Sequence, residues 1–502
     1  MNGAGRHDLV VVSSRIPAEP LGTGRRPARW AGEHAAWAGA LGPALAARNG
    51  AWVGWNGRAD NRTSPVKFQA VALHPVALSA TDVADHLEGQ CASTIVPLYH
   101  DAVERPAFHR RWRRAYRSVN ERYAAATAAV AAPGAAVWVH GHELQLVPTL
   151  LRAARPDLTI GCYLPLPVPP VELFGRMPMR SEIVDGLLGA DAIRVPDRRS
   201  AGNLVRLASD LGGYEVDDRV VIAGGRRVVV DALPMGADVD TVEQLAAGAN
   251  VRRRMDNLRR ELRQPRAVLL AVDRLDATSG AEQRLTAFGE LLADRRLHAT
   301  DCMLVQVVVP AARQSAEQAA IRTRVEQLVA RINGTHSAVG RPAVHYVHRN
   351  LDPVDLVALF RLADVFLATS LRDGANPTAK AFVAARLDNT GVLVLSEFSG
   401  VAGELTEATM VNPYDVEDLK RAIAAAADPR RATAEEAAMR RMRQSVRRYD
   451  ARWWAGRMLA VLDTCRPANP SQQITATETT RQFAAPSESL TQPPGPPSRS
   501  RR

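Results

Sequence analysis

Short runs of aliphatic and β-branched residues alternate along this chain with longer segments of helical periodicity, and this alternation limits the fold more than any other feature of the sequence. It is typical of parallel strands joined by crossover helices, so we predict an α/β protein. The predicted strands form two series, one in each half of the chain: Leu9–Ser13, Ala136–His140, Thr159–Leu164, Ala192–Val195 and Val228–Leu233, then Ala267–Val272, Met303–Val309, Val344–Val347, Val365–Ala368 and Val392–Leu395.

The two series predict two doubly wound, Rossmann-like domains that face each other across a cleft, since 502 residues exceed what a single core usually holds. Residues 1–238 form the first predicted domain and residues 239–440 the second. A hinge is expected at Pro234–Asp238, just before a helix-like stretch from Thr241 to Leu262. Ligands of such sheets bind at the carboxyl ends of the strands, so we expect the functional residues in the loops there.

The last part of the chain is predicted to pack back on the body and then to become disordered. Apolar residues at alternating spacings of four and three predict one amphipathic helix over residues 441–465, with a buried face made of Met442, Val446, Tyr449, Trp453, Gly456 and Ala460. Residues 466–502 are rich in Pro, Ser, Thr and Gln, which is typical of disordered segments.

The net charge of +11 is compatible with polyanionic partners such as nucleic acid, membrane surfaces or phosphorylated metabolites. The densest basic stretch, HRRWRRAYR at 109–117, places Trp112 and Tyr116 among arginines. These aromatic residues either stack on nucleic acid bases or share the buried face of a helix whose arginines point to solvent. The helical interpretation is preferred because the two residues lie four positions apart, so we expect no nucleic acid partner.

Four cysteines occur without a close pair, which argues against a metal site of the CxxC type and against a disulfide framework. The segment from Met1 to Asp8 is short and polar and leads directly into the first strand. It lacks an apolar run long enough for a signal peptide or a membrane span. We therefore expect a cytoplasmic protein with no membrane partner.

Ten segments, in order, carry a family resemblance. They read LVVVSSR at 9–15, GAWVGW at 50–55, PLYH at 97–100, PPVELF at 169–174, GLLGAD at 186–191, VDRLD at 272–276, RING at 331–334, VHYVHR at 344–349, LRDG at 371–374 and LSEFSG at 395–400. Together they resemble the trehalose-6-phosphate synthase family, glycosyltransferase family 20, from about residue 8 to residue 463. The resemblance implies the GT-B type of fold and trehalose biosynthesis.

The family joins glucose from a nucleotide donor of the UDP or GDP type to glucose 6-phosphate with retention, with no metal and no further cofactor. The resemblance therefore implies a cation and helix N-terminal amides around the donor diphosphate. Arg274 matches the arginine that contacts this diphosphate, although a salt bridge with Asp273 or Asp276 is the alternative. Asp373 resembles the residue that touches the donor sugar, and the alternative for it is a helix cap.

Further ligand residues follow from the resemblance on both sides of the cleft. On the donor side the resemblance assigns Gly374, Asn376 and Leu351 in addition to Arg274 and Asp373. On the acceptor side it assigns Arg15, Trp52 and Trp55, and we expect one of the two tryptophans to be structural. The implied acceptor is similar to a sugar phosphate.

Several family ligand positions hold different residues in this chain. The second diphosphate cation, a lysine, is replaced by Ser279, and the glutamate that holds the donor ribose is replaced by Ala381. The sugar-binding aspartate aligns with Gly141, and the histidine that contacts the donor sugar aligns with Pro165. The remaining departures are Ala35 and Ala36 for paired glycines, Leu87 and Val96 for acceptor-side aromatic residues, and Ala312 for a phosphate-binding arginine with Arg313 beside it.

A polar cluster of His140, His142 and Glu143 follows the strand that ends near Gly141. Its place at the end of a strand suits a general base or a sugar contact, and a surface turn is the alternative. Three functions therefore remain open: a retaining transferase with an altered or weakened activity on a sugar or a cyclitol, a non-catalytic scaffold or regulatory partner, and an unmodified synthase. For assembly the alternatives are a homo-oligomer or a pair with an active synthase.

Overall fold

The computed structural model describes residues 6–17, 35–61, 63–310, 316–428 and 432–466. Residues up to Cys465 belong to one compact unit that contains two separate sheets. The segment predicted to be disordered lies, from residue 467 onward, outside the described residues. The boundaries of the two predicted domains stay a prediction, although each strand series lies in its own sheet.

The first sheet has the strand order β3-β4-β2-β1-β5-β6-β7-β10-β9-β8. Its central strands are parallel, and antiparallel pairs occur at the two edges. The strands are β1 His7–Arg15, β2 Ala51–Trp55, β3 Val66–Phe68, β4 Val71–Pro75, β5 Ala131–His140, β6 Thr159–Tyr163, β7 Ala192–Val195, β8 Glu215–Asp217, β9 Val220–Ala223 and β10 Arg226–Ala232.

The second sheet is parallel throughout and has the order β13-β12-β11-β14-β15-β16. Its strands are β11 Ala267–Arg274, β12 Cys302–Val309, β13 Val344–His348, β14 Val365–Ala368, β15 Val392–Ser396 and β16 Thr409–Val411. The ten predicted strands are all confirmed. The prediction missed β2, β3, β4, β8, β9 and β16, which are three to five residues long.

Helices cover both faces of each sheet, as a doubly wound fold requires. In β1, Val10 and Val12 point into one apolar cluster while Leu9 and Val11 point into another. The helices are α1 Ala35–Ala47, α2 Ala80–Asp82, α3 Val96–Tyr99, α4 Arg110–Val130, α5 Val147–Ala154, α6 Val171–Phe174, α7 Arg180–Leu187, α8 Arg198–Gly212, α9 Val239–Ala247, α10 Ala249–Glu261, α11 Ala281–Ala293, α12 Ala316–His336, α13 Pro353–Leu362, α14 Pro377–Ala385, α15 Val416–Ala426, α16 Ala432–Arg448 and α17 Ala451–Cys465. A π-helical segment, Val83–Ile95, lies between α2 and α3, and His142–Leu144 forms a 3-10 turn after β5.

The basic stretch at 109–117 forms the start of α4 and confirms the helical interpretation. Tyr116 is fully buried, and Trp112 is half-buried against Gly89, while most of the arginines are exposed. The aromatic residues therefore hold α4 on the body of the protein.

The prediction of one amphipathic helix near the end of the chain is wrong. The segment forms α16 and α17 with a break at Tyr449 and Asp450, where the Asp450 carboxylate accepts a hydrogen bond from the Trp453 amide at 2.7 Å. The break shifts the helical phase, so the face predicted from one continuous helix holds only for α16. In α17 the predicted Trp453 is half-buried and Gly456 and Ala460 are exposed, while the buried face is Ala451, Trp454, Met458 and Leu462.

The chain passes between the two halves twice, and the two passages lie side by side. The first is the predicted hinge at Pro234–Asp238, and the second is the break between α16, which packs on α14, and α17, which packs on α1 and β6. The Ala451 amide donates to the Ala237 carbonyl at 2.9 Å, and a Cβ at Gly236 would lie 2.1 Å from the Asp450 carbonyl. Only glycine permits this approach at position 236.

Candidate active-site cleft

The carboxyl ends of the strands in the two sheets lie against each other. Arg372, in the loop after β14, pairs with Asp101 of the first half at 3.0 Å, and its side chain is 6% exposed. A Cβ at Gly374 would lie 2.5 Å from the Pro165 carbonyl oxygen, which follows β6. Loops from both halves therefore border one cleft, as the topology predicts.

Arg274 is the last residue of β11, and its side chain is 65% exposed at this edge. Its guanidinium group forms a loose ion pair with Asp276 at 3.6 Å, while Asp273 pairs with a different arginine, Arg284. The salt bridge that was the predicted alternative role of Arg274 therefore exists only as this weak contact with Asp276. The exposed fork of Arg274 remains suited to an anion with two oxygen atoms.

A buried polar network lies directly under Arg274. Arg284 of α11 is fully buried, pairs with Asp273, and donates to Gln306 and, at 2.7 Å, to the Thr369 hydroxyl. Gln306 in turn donates to Asp273 at 3.0 Å. Burial raises the pKa of Asp273, against the opposing effect of Arg284. The network joins the end of β11 to the middle of β12 and to Thr369 just after β14, so it fixes the backbone from which Arg274 projects.

In the loop after Arg274, Ser279 occupies the position of the family lysine and faces inward. The Asp276 carboxylate accepts from the Thr278 amide at 3.0 Å and hydroxyl at 2.7 Å, and the Leu371 amide donates to the Thr278 carbonyl at 2.7 Å. Ser279 is 8% exposed, and Gly280 has a positive φ of 68°. The loop is thus held closely against β14, and Ser279 presents no charge to the cleft.

Asp373 organises the loop between β14 and α14. Its carboxylate accepts hydrogen bonds from the Ser370 hydroxyl, the Asn376 amide at 2.9 Å, the Ser399 hydroxyl at 2.8 Å and the Gly400 amide at 3.3 Å. The predicted alternative of a helix cap is wrong for Asp373, because the cap of α14 is Asn376. A carboxylate with four donors is held rigidly in place.

The other predicted donor-side residues have different positions. Asn376 adopts a left-handed conformation with φ of 32°, and its side-chain oxygen accepts from the Ala379 amide at 3.0 Å. Gly374 touches the first half through Pro165 and Pro167. Leu351 packs against the second-half core, beside a cavity of about 90 Å³ that His345 and Asp355 also line. The structure brings Gly374 and Asn376 together with Asp373.

On the acceptor side the two tryptophans behave differently. Trp55 is half-exposed, and the Arg15 guanidinium lies 6.0 Å from its ring centre, in the range of a cation–π contact. Trp52 is fully buried and donates its indole hydrogen bond to the Ser13 hydroxyl at 2.8 Å. The prediction that Trp52 contacts an acceptor is therefore wrong, because its ring belongs to the core. Arg15 and Trp55 remain together at the edge of the first sheet.

The cluster after β5 is an ordered part of the cleft. Gly141 has a φ of 110°, and a Cβ there would lie 2.3 Å from a carboxylate oxygen of Glu143. The other Glu143 oxygen accepts from the Ser14 hydroxyl at 3.0 Å, and His142 approaches Glu143 at 3.6 Å. His140 is buried and stacks on Trp37 at 4.2 Å, so it belongs to the core and only His142 and Glu143 face the edge.

Two residues at the cleft were missed by the sequence analysis. His100 is buried, its Nδ1 donates to the Val96 carbonyl at 2.8 Å, and burial lowers its pKa, with Asp276, Arg274 and Asp373 nearby. Burial raises the pKa of Glu104 to about 8, and the neighbouring Glu317 and Asp276 add to the effect. The segment that holds His100 contributed to the family resemblance, but no periodicity or spacing in the sequence indicates that it meets the second half.

The replaced ligand positions are mostly apolar. Ala381 packs against the second-half core, and Pro165 lies against Gly374. Ala312 and Arg313 lie outside the described residues, as do the side chains of Ala35 and Ala36. Within the described ranges there is no group of three or more His, Cys, Asp or Glu side chains arranged to hold a metal ion. No helix in the described part of the chain is long and apolar enough to cross a membrane.

Two Rossmann-like halves with a cleft at their carboxyl-terminal strand edges define a GT-B glycosyltransferase architecture. The sequence model of glycosyltransferase family 20 matches residues 7–464. The chain belongs to glycosyltransferase family 20.

Named relatives support this assignment. The trehalose-6-phosphate synthase of Mycobacterium marinum is 43% identical over 479 residues, which cover 92% of this chain and 95% of the relative. That of Mycobacterium bovis is 42% identical over 484 residues, covering 92% and 96%.

Solved structures give the same result. The α,α-trehalose-phosphate synthase (UDP-forming) of Burkholderia vietnamiensis has a TM-score of 0.83 and 28% identity, and the match covers 91% of this chain and 99% of that one. A Burkholderia xenovorans relative in complex with glucose 6-phosphate has a TM-score of 0.81 and 26% identity, with 91% and 100% covered. An E. coli structure with bound UDP-2-fluoro glucose has a TM-score of 0.81 and 26% identity, with 90% and 98% covered.

Proposed function

We propose that this protein is a retaining glycosyltransferase similar to trehalose-6-phosphate synthase, with altered or weakened activity. It transfers a sugar or a sugar-like cyclitol from a nucleoside diphosphate donor of the UDP or GDP type to a sugar-phosphate-like acceptor. It needs neither a metal nor another cofactor, and it acts in the cytoplasm. Relatives with bound UDP-2-fluoro glucose and glucose 6-phosphate support both substrate classes.

The observation that carries the proposal is the position of Arg274. Its guanidinium group is exposed at the carboxyl end of β11, above the network of Arg284 and Asp273. The Asp373 loop next to it is held by four hydrogen bonds. An exposed cation on a fixed backbone, beside an ordered loop, suits the diphosphate of a donor.

The expected weakening follows from Ser279. A charge-assisted contact contributes about 1.5–3 kcal/mol, and a serine that is 8% exposed cannot replace it. Loss of one group that stabilises developing charge lowers turnover by about two to three orders of magnitude. Ala381 removes a further predicted contact, to the donor ribose.

A second candidate is a non-catalytic relative that acts as a scaffold or regulatory partner of an active synthase, as a pair or within a homo-oligomer. The contact of Pro165 with Gly374 favours it, because a ring without a hydrogen-bond donor lies where the family is expected to bind the donor sugar. The two candidates differ in whether a nucleotide binds.

Calorimetric titration of the full chain with UDP, GDP and ADP separates them. We expect one nucleotide to bind with micromolar affinity, roughly −8 kcal/mol. Arg274→Ala should weaken that binding roughly tenfold to a hundredfold, because the lost contact is charge-assisted. The matched control is Arg253→Ala on the exposed face of α10, which should bind like the wild type. Absence of binding for all three nucleotides would reject the transferase and favour the scaffold.

A further inference from the structure

The carboxylate of Glu143 fills the space that a side chain at position 141 would otherwise occupy. Gly141 combines φ of 110° with ψ of 153°, a conformation that is open almost only to glycine. The absent Cβ leaves room for the Glu143 oxygen, which would otherwise lie 2.3 Å from it. The glycine and the glutamate therefore form one unit in which position 143 supplies the carboxylate.

This unit is held rigidly from beneath by α4. The Tyr116 hydroxyl donates to the His142 carbonyl at 2.7 Å, and Asn120 donates to the Glu143 carbonyl at 2.9 Å. Tyr123 donates to the Ser14 carbonyl at 2.7 Å, which fixes the strand end whose hydroxyl binds Glu143. Three side chains of one helix thus fix both ends of the Ser14–Glu143 hydrogen bond, as a preorganised binding group requires.

The surroundings of the carboxylate favour a ligand that donates hydrogen bonds. The Glu143 side chain is 17% exposed at the edge of the cleft, and His142 is 15% exposed beside it. His86 is almost fully buried nearby, and burial lowers its pKa to about 4, so its imidazole is neutral at neutral pH. The Nδ1 atoms of His86 and His142 are buried and have no hydrogen-bond partner among the described residues. A carboxylate and a neutral imidazole such as that of His86 can accept hydrogen bonds from hydroxyl or ammonium groups.

We propose that Glu143 determines specificity in this cleft by binding a hydrogen-bond-donating group of a sugar-like ring, either a hydroxyl or a protonated amine. A phosphate at the same place is disfavoured because it would meet a like charge. The inference rests on the proposed function only in assuming that a sugar-like ring enters the cleft. The assignment predicts that the cleft prefers a ring with a hydroxyl or a protonated amine next to Glu143. Titration with glucose 6-phosphate alone would not reveal this preference.

Ligand-observed NMR titration of the full chain with glucose, glucosamine and glucose 6-phosphate tests this assignment, with and without UDP. The variants are Glu143→Gln, which keeps the shape and removes the charge, and Glu143→Ala, which removes both. Ser14→Ala removes the hydrogen bond that positions the carboxylate. The control is Glu215→Gln, an exposed carboxylate on β8 of the same sheet. Circular dichroism and thermal unfolding establish that each variant is folded.

We expect Glu143→Ala to weaken glucose and glucosamine binding roughly tenfold or more. Glu143→Gln should weaken glucosamine more than glucose, and it should leave glucose 6-phosphate unchanged or tighter. Equal affinities in both folded Glu143 variants and the wild type, within twofold, would overturn the assignment, and so would a wild type that binds none of the three sugars. If UDP, GDP and ADP fail to bind while sugar binding still depends on Glu143, the proposed donor site is wrong and this assignment stands.

Discussion

Two places that border the cleft, one under Arg274 and one beside Glu143, differ in how completely their polar groups are paired. Under Arg274, Asp273, Arg284, Gln306 and Thr369 bind one another. Beside Glu143, His86 and His142 each keep a buried ring nitrogen with no hydrogen-bond partner in the described part of the chain. Under the exposed Arg274 the polar groups form a closed framework, whereas beside Glu143 two ring nitrogens remain unpaired.

Because of this difference, we expect substitutions at the two places to affect different properties, folding stability at one and ligand binding at the other. Changes inside the closed framework should cost folding stability, because they leave buried charges unpaired. Changes at the open edge beside Glu143 should cost binding and leave stability nearly unchanged. Variants that reverse this order would break the comparison. The Glu143 variants described above probe the open edge, and the four variants below, in the second half or at the contact between the halves, are arranged from the largest expected effect to the smallest.

Replacement of Arg284 by Met should destabilise the protein by about 3–5 kcal/mol, because the buried Asp273 loses its partner. Chemical denaturation monitored by circular dichroism measures the change in unfolding free energy. Arg296→Met, an exposed arginine just after α11, is the control and should change little. A loss for Arg284→Met no larger than for the control would show that the network does not hold the backbone under Arg274.

Gly374→Ala should cost about 1–3 kcal/mol, the usual range for overpacking. The new Cβ would lie 2.5 Å from the Pro165 carbonyl, so the two halves must move apart or the loop must shift. Gly403→Ala is the matched control, because a Cβ there meets nothing within 4 Å. Thermal unfolding of both variants tests the contact, and equal melting temperatures would contradict it.

Ser279→Lys should raise nucleotide affinity roughly tenfold, or about 1.4 kcal/mol, since it restores a cation beside Arg274. Titration of UDP and GDP into this variant and into Ser279→Ala measures the gain. No gain from the lysine would mean that the inward turn at position 279, where the serine is 8% exposed, keeps any side chain out of the donor site.

Glu104 should make the contact between the halves depend on pH. Burial, with the adjacent Glu317, raises the pKa of Glu104 to about 8, far above the roughly 4.3 of an unfolded glutamate. The protonated form is therefore favoured in the folded state, and the stability that it contributes is lost as pH rises toward and through 8. Because the group is half-buried, the effect should be about 1 kcal/mol or less.

Glu104→Gln should flatten the decline of melting temperature between pH 5 and pH 9, while Glu215→Gln should follow the wild type. Differential scanning calorimetry over this range measures both. A decline as steep in Glu104→Gln as in the wild type would assign the pH dependence to another group.

The sequence predicted ten strands and the cleft, because buried parallel strands leave continuous aliphatic runs. It did not predict the break at Asp450, since the apolar residues on either side fit one helix and the cap that begins the second helix involves a single side chain. Arg274 was proposed from the family resemblance, and the strand predicted just before it placed it at the edge of the sheet. The partnership of Gly141 with Glu143 depends on a backbone angle that no sequence pattern states, and the burial of Trp52 depends on the phase of a strand that the sequence analysis missed.

The side-by-side passages at Gly236 and Asp450 have a mechanical consequence. Two covalent crossings in backbone contact act as one strap, to which Lys380 of α14 adds a hydrogen bond at 2.7 Å through the Met235 carbonyl. The two halves are therefore joined covalently at one place. A movement that opens or closes the cleft would turn about this place, and a pair of fluorophores across the cleft would record the change in distance.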